Sequence, residues 1–466
     1  MTGHHDVDVL VAGAGAAGTA AALRAAKYGC TVVLVEANEA FRRSSNTAMS
    51  TSMVPAGGSR WQREAGIDDS PGDFLADIMA KTGGRADEVV ARALTDVAPD
   101  LVAWLADECG VPLGLVTDFR YPGHHADRCH AVPDRSGATL HGHLLDVVAA
   151  TDDITLMVPM RLVSVTPRDD GGFTIVVATP DGSEQELTAG AVVLATNGFG
   201  ANAELVATHL PDIAEGVYHG GDGSTGDALR VGEDLDLDTG FLDAYQGHGS
   251  LAMPDHVLLT WAFVMHGGIL VNVEGERFGD ETVGYSEFGP AVVAQPEQVA
   301  WAIFDERIHG LLTDFKDYQD LMDQGAITTC EDAAAVAAAT GIDVDSVVAL
   351  LGEVTTYAQG GAADPFGRTD FEEPLRSAYC VVRVTGALFH TQGGLRVDER
   401  ARVLRDGVPV DGLYAAGGAA VGISGHDADG YLAGNGLLGA LGLGYLAGTD
   451  IGTGGRAAGN GSGRTA

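Results

Sequence analysis

Residues 7–12, VDVLVA, run straight into GAGAAG, and no other stretch restricts the fold so tightly. A continuous apolar run of this length fits a strand buried on both faces of a sheet. A helix-forming stretch follows, TAAALRAAKYG, and then a second strand-like run, TVVLVE, which ends on Glu36. Strand, glycine turn, helix, strand and acid in that order make a dinucleotide-binding unit. Gly13 permits the tight turn, Gly15 lets the backbone approach a pyrophosphate, and Gly18 lets helix and strand pack closely. Ala16 and Ala17, within the glycine turn, are expected cofactor contacts, and the first N–H groups and partial positive charge of the helix that follows face the phosphates. Glu36, with Ala37 after it, is placed to accept a ribose hydroxyl.

The rest of the nucleotide site is spread along the chain. FTIVVATPDGSEQELTAGAVVLATNGFG reads as a β meander returning to a buried strand at 191–195, which ends in a turn containing Thr196 and Gly198. DGLYAAGG, residues 411–418, is a last short strand with a glycine turn at Gly417. No second GxGxxG stands between an apolar strand and a helix that leads to another strand and an acid, so one dinucleotide is expected. Residues 85–150 read as helices and loops. The expected organisation is a Rossmann-like α/β domain, a parallel sheet plus the meander, interrupted by a smaller α+β capping domain. Its segments are 1–244, the insertion 245–385, a return at 386–449, and a disordered glycine-rich tail at 450–466.

Charge excludes some partners. With 65 acidic against 27 basic residues, the net charge of −38 repels nucleic acid and anionic membranes. Its plainest cause is solubility in an acid-rich proteome. Five scattered cysteines without a CxxC pair suit a reducing compartment. The start lacks a basic region and a cleavage site, so a cytoplasmic location is expected. YLAGNGLLGALGLGYLAG is broken by glycine and reads as a buried helix rather than a membrane span. HHADRCH, residues 124–130, has no second ligand cluster to accompany it, so no metal is expected.

GAGAAGTAAALRAAKYGCTVVLVE, HGGDGSTGDALR, GGILVNVEGERF, HTQGGLRVDERARV and GLYAAGG together resemble the FAD-dependent fumarate reductase and succinate dehydrogenase flavoproteins. The site pattern is most similar to the 3-ketosteroid dehydrogenases of that superfamily. The resemblance implies that the nucleotide is FAD. It implies further cofactor contacts from Ser45, Asn46, Thr47, Ser50, Ala195, Asp227, Gly434, Asn435, Gly436, Leu437 and Leu438. Backbone N–H groups at the start of the late helix would face the pyrimidine edge of the flavin. RRSSNTAMSTSMVPAGG has no histidine where succinate dehydrogenases attach FAD, so non-covalent binding is expected.

The same resemblance locates the chemistry. His248 and His390 match the two substrate histidines of fumarate reductases, whereas Tyr285 and Tyr431 stand where those enzymes carry arginines. The upstream proton-relay positions hold Trp261 and Val264. An arginine clamps a carboxylate through two parallel bonds, but a phenol offers one neutral O–H and an aromatic face. A tyrosine pair therefore suits a ketone better than a dianion. Ketosteroid dehydrogenases pair tyrosines in this way and carry another near Tyr121, which is expected to touch substrate, as is Gly434. The branch that forms 4-enes has a hydroxyl residue where this chain has Ala433. The implied reaction desaturates, or in reverse reduces, a C–C bond beside a carbonyl. One tyrosine polarises the oxygen, the other exchanges the α-proton, and hydride moves to or from flavin N5. A separate electron acceptor or donor is required, because the chain has neither CxxCH nor a cysteine cluster. The alternatives are a reductase of an unsaturated carboxylic acid and a flavoprotein whose FAD is structural.

Overall fold

The structure is a computed structural model and describes residues 5–118 and 120–454. Five parallel strands form the centre of the first sheet, in the spatial order Val408–Ala415, Glu184–Leu194, Val7–Ala12, Val32–Val35, Ile154–Met157. Val9, Leu10 and Val11 are fully buried, which is why their pattern is continuous rather than alternating. Burying each such side chain contributes about 1.5–3 kcal/mol. Arg161–Pro167 and Phe173–Ala178 add an antiparallel meander onto Glu184–Leu194.

Helix Ala16–Lys27 packs along the C-terminal helix Asn435–Thr453. Glycine makes that approach possible. A Cβ on Gly444 would lie 2.2 Å from the Ala17 carbonyl oxygen, and one on Gly448 would lie 2.4 Å from that of Ala21. The late helix therefore buries its glycine-rich face against the first helix. It runs to Thr453 and is capped by Gly454 in the left-handed conformation, φ +62°. The segment expected to be a tail thus begins as helix, and residues 455–466 lie outside the described residues.

The second sheet is mainly antiparallel, in the order Val257–Leu258, Tyr245–Ala252, Tyr379–Thr391, Val299–Asp305, Ile269–Val271. It has its own hydrophobic core, built from residues between Ala252 and Val384. Strand Tyr379–Thr391 runs unbroken through the expected boundary at residue 385, and Val217–Tyr218 pairs with it from the other side of the insertion. The 85–150 region is not helices and loops alone. Cys129–Ala131 joins Val54–Pro55 and Gly114–Leu115 in a small antiparallel sheet. Among the described residues, no helix is long and apolar enough to cross a membrane.

Candidate active site

A long cleft begins at the glycine turn and ends between the two sheets. Its first half is built largely from backbone. Gly13, Gly15, Ala16, Ala17, Glu36, Ala37, Ala195, Thr196 and Gly417 line it. Gly13 has φ +106°, and a Cβ there would meet the Ala195 carbonyl oxygen at 2.2 Å. Gly18 stands just behind the wall, where a Cβ would meet the Gly13 oxygen at 1.7 Å. Its role is the expected close packing of helix on strand. The Glu36 carboxylate accepts from the Ala14 and Asn38 N–H groups at 2.9 and 2.8 Å, which fixes the loop around it. At this end, Asp227 pairs with Arg161 at 2.8 Å. Among the described residues, Arg161 is the only arginine or lysine in the cleft wall.

Ser45, Asn46, Thr47 and Ser50 also line the cleft, and each bonds within the protein. Ser45 Oγ accepts from the Ala48 N–H at 3.2 Å, and Thr47 Oγ1 accepts from the Ala16 N–H at 2.9 Å. Asn46 accepts from the Gly221 N–H at 2.6 Å and donates to the Phe389 carbonyl at 3.2 Å. Ser50 Oγ donates to the Thr47 carbonyl at 2.8 Å. This stretch therefore ties the first helix to the second sheet as well as facing the cleft.

Two expected cofactor contacts stand elsewhere. Gly198 is absent from the cleft wall. It packs against Thr391, whose Oγ1 lies 1.9 Å from where a Cβ would stand. Leu438 is fully buried in the core, and its N–H bonds to the Gly434 carbonyl at 2.9 Å. The resemblance implied Leu438 and the turn after the buried strand suggested Gly198, but the backbone carries each behind the wall. Val264, at a relay position, is likewise buried in the second core, while Trp261 reaches the cleft.

The second half of the cleft is aromatic. Tyr121, His248, Trp261, Tyr285, Phe389, His390 and Tyr431 line it, with Gly434, Asn435, Gly436 and Leu437 at the helix start. Paired strands carry the two histidines, with Gln246 opposite His390 and His248 opposite Ala387. Tyr285 opens helix Tyr285–Val293, which lies hard against those strands. A Cβ on Gly386 would stand 2.2 Å from the Gly289 carbonyl oxygen, so glycine sets that approach too. The Tyr285 and Tyr431 rings sit 6.0 Å apart at 64°. His248 stacks on Tyr285 at 4.9 Å, and His390 meets Tyr431 edge-on at 5.7 Å. The Gly436 N–H donates to Tyr431 Oη at 3.2 Å, which leaves the phenol hydrogen to donate into the cleft.

Burial sets the protonation states here. It pushes Tyr285 well above the usual phenol range, and the neighbouring Tyr431 adds to the shift. Tyr431 is raised by burial, with the Gly436 N–H pulling the other way. Burial lowers His248 to about 3 and His390 to about 4. Near neutral pH, this end therefore holds neutral phenols and neutral imidazoles.

Two cleft-wall residues carry buried polar atoms without a protein partner, Thr196 Oγ1 and Asn435 Oδ1. They suit a ligand with ring carbonyl groups and a ring N–H, as an isoalloxazine has. The histidines of HHADRCH have separate partners. His124 bonds the Ala433 carbonyl at 3.2 Å, His125 pairs with Asp77 at 2.8 Å, and His130 meets Ser59 Oγ at 2.8 Å. Among the described residues, no group of His, Cys, Asp and Glu could hold a metal ion. Sequence reasoning missed Arg161 and Ser424, which fall in no motif, and Gln392, whose place inside HTQGG carries no local sign of a role.

Residues 8–437 match the family model described as FAD binding domain. The chain is 28% identical over 448 residues to a protein named probable fumarate reductase Ifc3 from Shewanella frigidimarina, covering 94% of this chain and 74% of that one. The open conformation of a flavocytochrome c3 fumarate reductase superposes with a TM-score of 0.79 at 26% identity, over 96% of this chain and 78% of the other. The 3-ketosteroid-Δ4-(5α)-dehydrogenase of Rhodococcus jostii RHA1 shares the fold, with a TM-score of 0.72 at 24% identity over 96% and 98% of the two chains. The glycine turn, the orphaned polar atoms and these matches agree: the chain belongs to the FAD binding domain family, in the fumarate reductase and succinate dehydrogenase superfamily, and is an FAD-dependent oxidoreductase acting on carbon–carbon bonds.

Proposed function

We propose that this oxidoreductase reduces or forms a C=C bond conjugated to a carbonyl, on a substrate without a carboxylate pair. The observation that carries the reading is the neutral phenol pair, Tyr285 and Tyr431, 6.0 Å apart across the substrate half of a cleft whose one cation among the described residues, Arg161, lies at the nucleotide end. A dianion placed there would lose its hydration without a charged partner, and that is unfavourable. A carbonyl group needs only donors, and the site has them.

Bound FAD supplies the two-electron exchange, as hydride, at the β-carbon. Tyr431 donates its O–H to the substrate carbonyl, and the Gly436 N–H behind it strengthens that donation. Tyr285 exchanges the α-proton from across the cleft. His248 and His390, both neutral, orient the substrate, and Tyr121 and Trp261 exclude water. Phenols that hold their protons this firmly start as acids, so reduction is the direction that begins from the resting protonation state. Electrons then come from or go to a group outside these 466 residues, which hold neither CxxCH nor a cysteine cluster. Residues 42–58 contain no histidine, which favours a flavin held without a covalent bond. Acid precipitation should then release all the flavin into the supernatant.

The test is anaerobic. Oxidised enzyme is mixed with saturated ketones, steroids among them, and reduced enzyme with enones and with fumarate. Flavin bleaching by a ketone, or reoxidation by an enone faster than by fumarate, supports the reading. Reoxidation fastest with fumarate rejects it and returns the site to dicarboxylate reduction. A flavin spectrum that no substrate or reductant changes would leave the FAD a structural role.

A further inference from the structure

His390 is held from behind by a line of buried polar groups. Gln392 Nε2 lies 2.8 Å from His390 Nδ1, Ser424 Oγ lies 2.9 Å from Gln392 Oε1, and Asn435 Nδ2 lies 3.3 Å from Ser424 Oγ. Gln392, Ser424 and Asn435 are 5%, 1% and 1% exposed, so water does not compete for these bonds. The backbone of Gln392 is pinned on both sides. Its N–H donates to the Ala244 carbonyl and its carbonyl accepts from the Gly422 N–H, both at 2.7 Å. The line starts at Asn435, the first residue of the C-terminal helix, and ends on His390, both in the wall of the aromatic half of the cleft.

A hydrogen-bond line of this kind can run in two directions, and the proton position on His390 depends on which. Running from Asn435, each group donates to the next, and His390 Nδ1 receives the last bond. The ring hydrogen is then on Nε2. That nitrogen faces Gly436, where a Cβ would stand 2.7 Å from it and 3.3 Å from Tyr431 Oη. The reverse direction would make Asn435 Oδ1 an acceptor within the line. The structure instead leaves that atom buried and without a protein partner, suited to a donor from a ligand. The oxidised isoalloxazine ring carries one N–H donor. The 3.3 Å contact between His390 Nδ1 and the Thr391 carbonyl is the weaker rival, since it would need the hydrogen on Nδ1.

We infer that Gln392 is a positioning residue, which fixes His390 as the neutral tautomer with its hydrogen on Nε2, directed at the substrate oxygen beside Tyr431, and that Ser424 and Asn435 orient Gln392. Only the kinetic consequence rests on the proposed reaction. The tautomer itself is a property of the holoenzyme without substrate.

The test is ¹⁵N NMR of histidine-labelled holoenzyme, with His390 assigned by the signal lost in His390→Gln. The expected spectrum shows an unprotonated Nδ1 and a protonated Nε2. A protonated Nδ1 in the parent enzyme overturns the inference without any further variant. Gln392→Glu replaces the amide donor by an acceptor, so Nδ1 should gain a hydrogen and the ring should take up protons at higher pH than in the parent. Ser424→Ala, a milder change, should broaden the His390 signals into a tautomer mixture. With flavin content equal to the parent's, turnover of whichever substrate bleaches the flavin should fall about tenfold in Gln392→Glu, as for loss of one oriented hydrogen bond. An unchanged tautomer in Gln392→Glu overturns the assignment even if turnover falls. The expected tautomer without turnover on any enone or ketone leaves the positioning role standing and rejects the proposed reaction.

Discussion

The two halves of the cleft are built by different physics. The nucleotide half is mostly backbone, and Gly13 and Gly18 sit where a Cβ would meet a carbonyl oxygen at 2.2 and 1.7 Å. The substrate half is side chain, four aromatic or imidazole rings each centred within 6.0 Å of a neighbour, stacked or edge-on. Shape decides the first half, which admits little variation. Burial decides the second, by holding phenols and imidazoles in their neutral forms, and such a site can be recast by exchanging one side chain.

The sharpest way to break this contrast is Gly13→Ala. The new methyl would run into the Ala195 carbonyl oxygen and would have to adopt φ +106°. The expected outcome is purified protein without flavin and without activity, read from the visible spectrum. An active Gly13→Ala holoenzyme would mean that backbone shape does not control this half.

Next in size are Tyr431→Phe and Tyr285→Phe. Each keeps the ring packing and removes one O–H. If each phenol takes part in proton exchange or carbonyl polarisation, turnover should fall at least ~100-fold with flavin content unchanged. Full turnover in both would reduce the tyrosines to packing and end the proposed chemistry.

How much of this could be read beforehand follows the same division. Gly13, Gly15 and Glu36 were legible because a strand, turn and helix are local and their spacing carries the geometry. Tyr285 and Tyr431 were legible only through resemblance, since nothing local distinguishes a cleft tyrosine from a core one. Gln392 and Ser424 lie 32 residues apart and acquire meaning only when folding brings them together. Gly198 and Leu438 show the converse error, because neighbours of wall residues need not face the same way. The glycine-rich end of the chain read as tail from residue 450. Gly444 and Gly448 are there to admit the first helix, and the helix they belong to continues to Thr453.

A pH series probes the burial argument. Burial lowers His124, His130, His141 and His390 to about 4, and His248 to about 3. Unfolded histidines take up protons near pH 6.5, so between pH 6.5 and 4 the unfolded chain binds more protons than the folded one. Stability is therefore full above pH 6.5 and declines on acidification, each histidine contributing about 1.4 kcal/mol per pH unit. Glu287, raised to about 7 by burial, and Asp317, raised to about 6, oppose part of this by binding protons in the folded state first. Five groups against two leave a net loss. Thermal melts should move down steadily from pH 6.5 to 5, and His248→Gln combined with His390→Gln should make the decline shallower. A melting temperature independent of pH would show that these histidines are already hydrated.

The smallest effect is expected from Thr47→Val, in the nucleotide half. Its Oγ1 accepts from the Ala16 N–H at 2.9 Å, and the residue is buried. Valine keeps the shape and removes the acceptor, leaving one N–H of the first helical turn without its protein partner. One neutral hydrogen bond contributes about 1 kcal/mol, so FAD should bind about fivefold more weakly. The phenols are untouched, so turnover per bound flavin should match the parent. A fall in that turnover would mean that the loop from Ser45 to Ser50, which Asn46 ties to Phe389 beside His390, transmits shape from the nucleotide half to the substrate half. The two halves would then be mechanically coupled rather than merely adjacent.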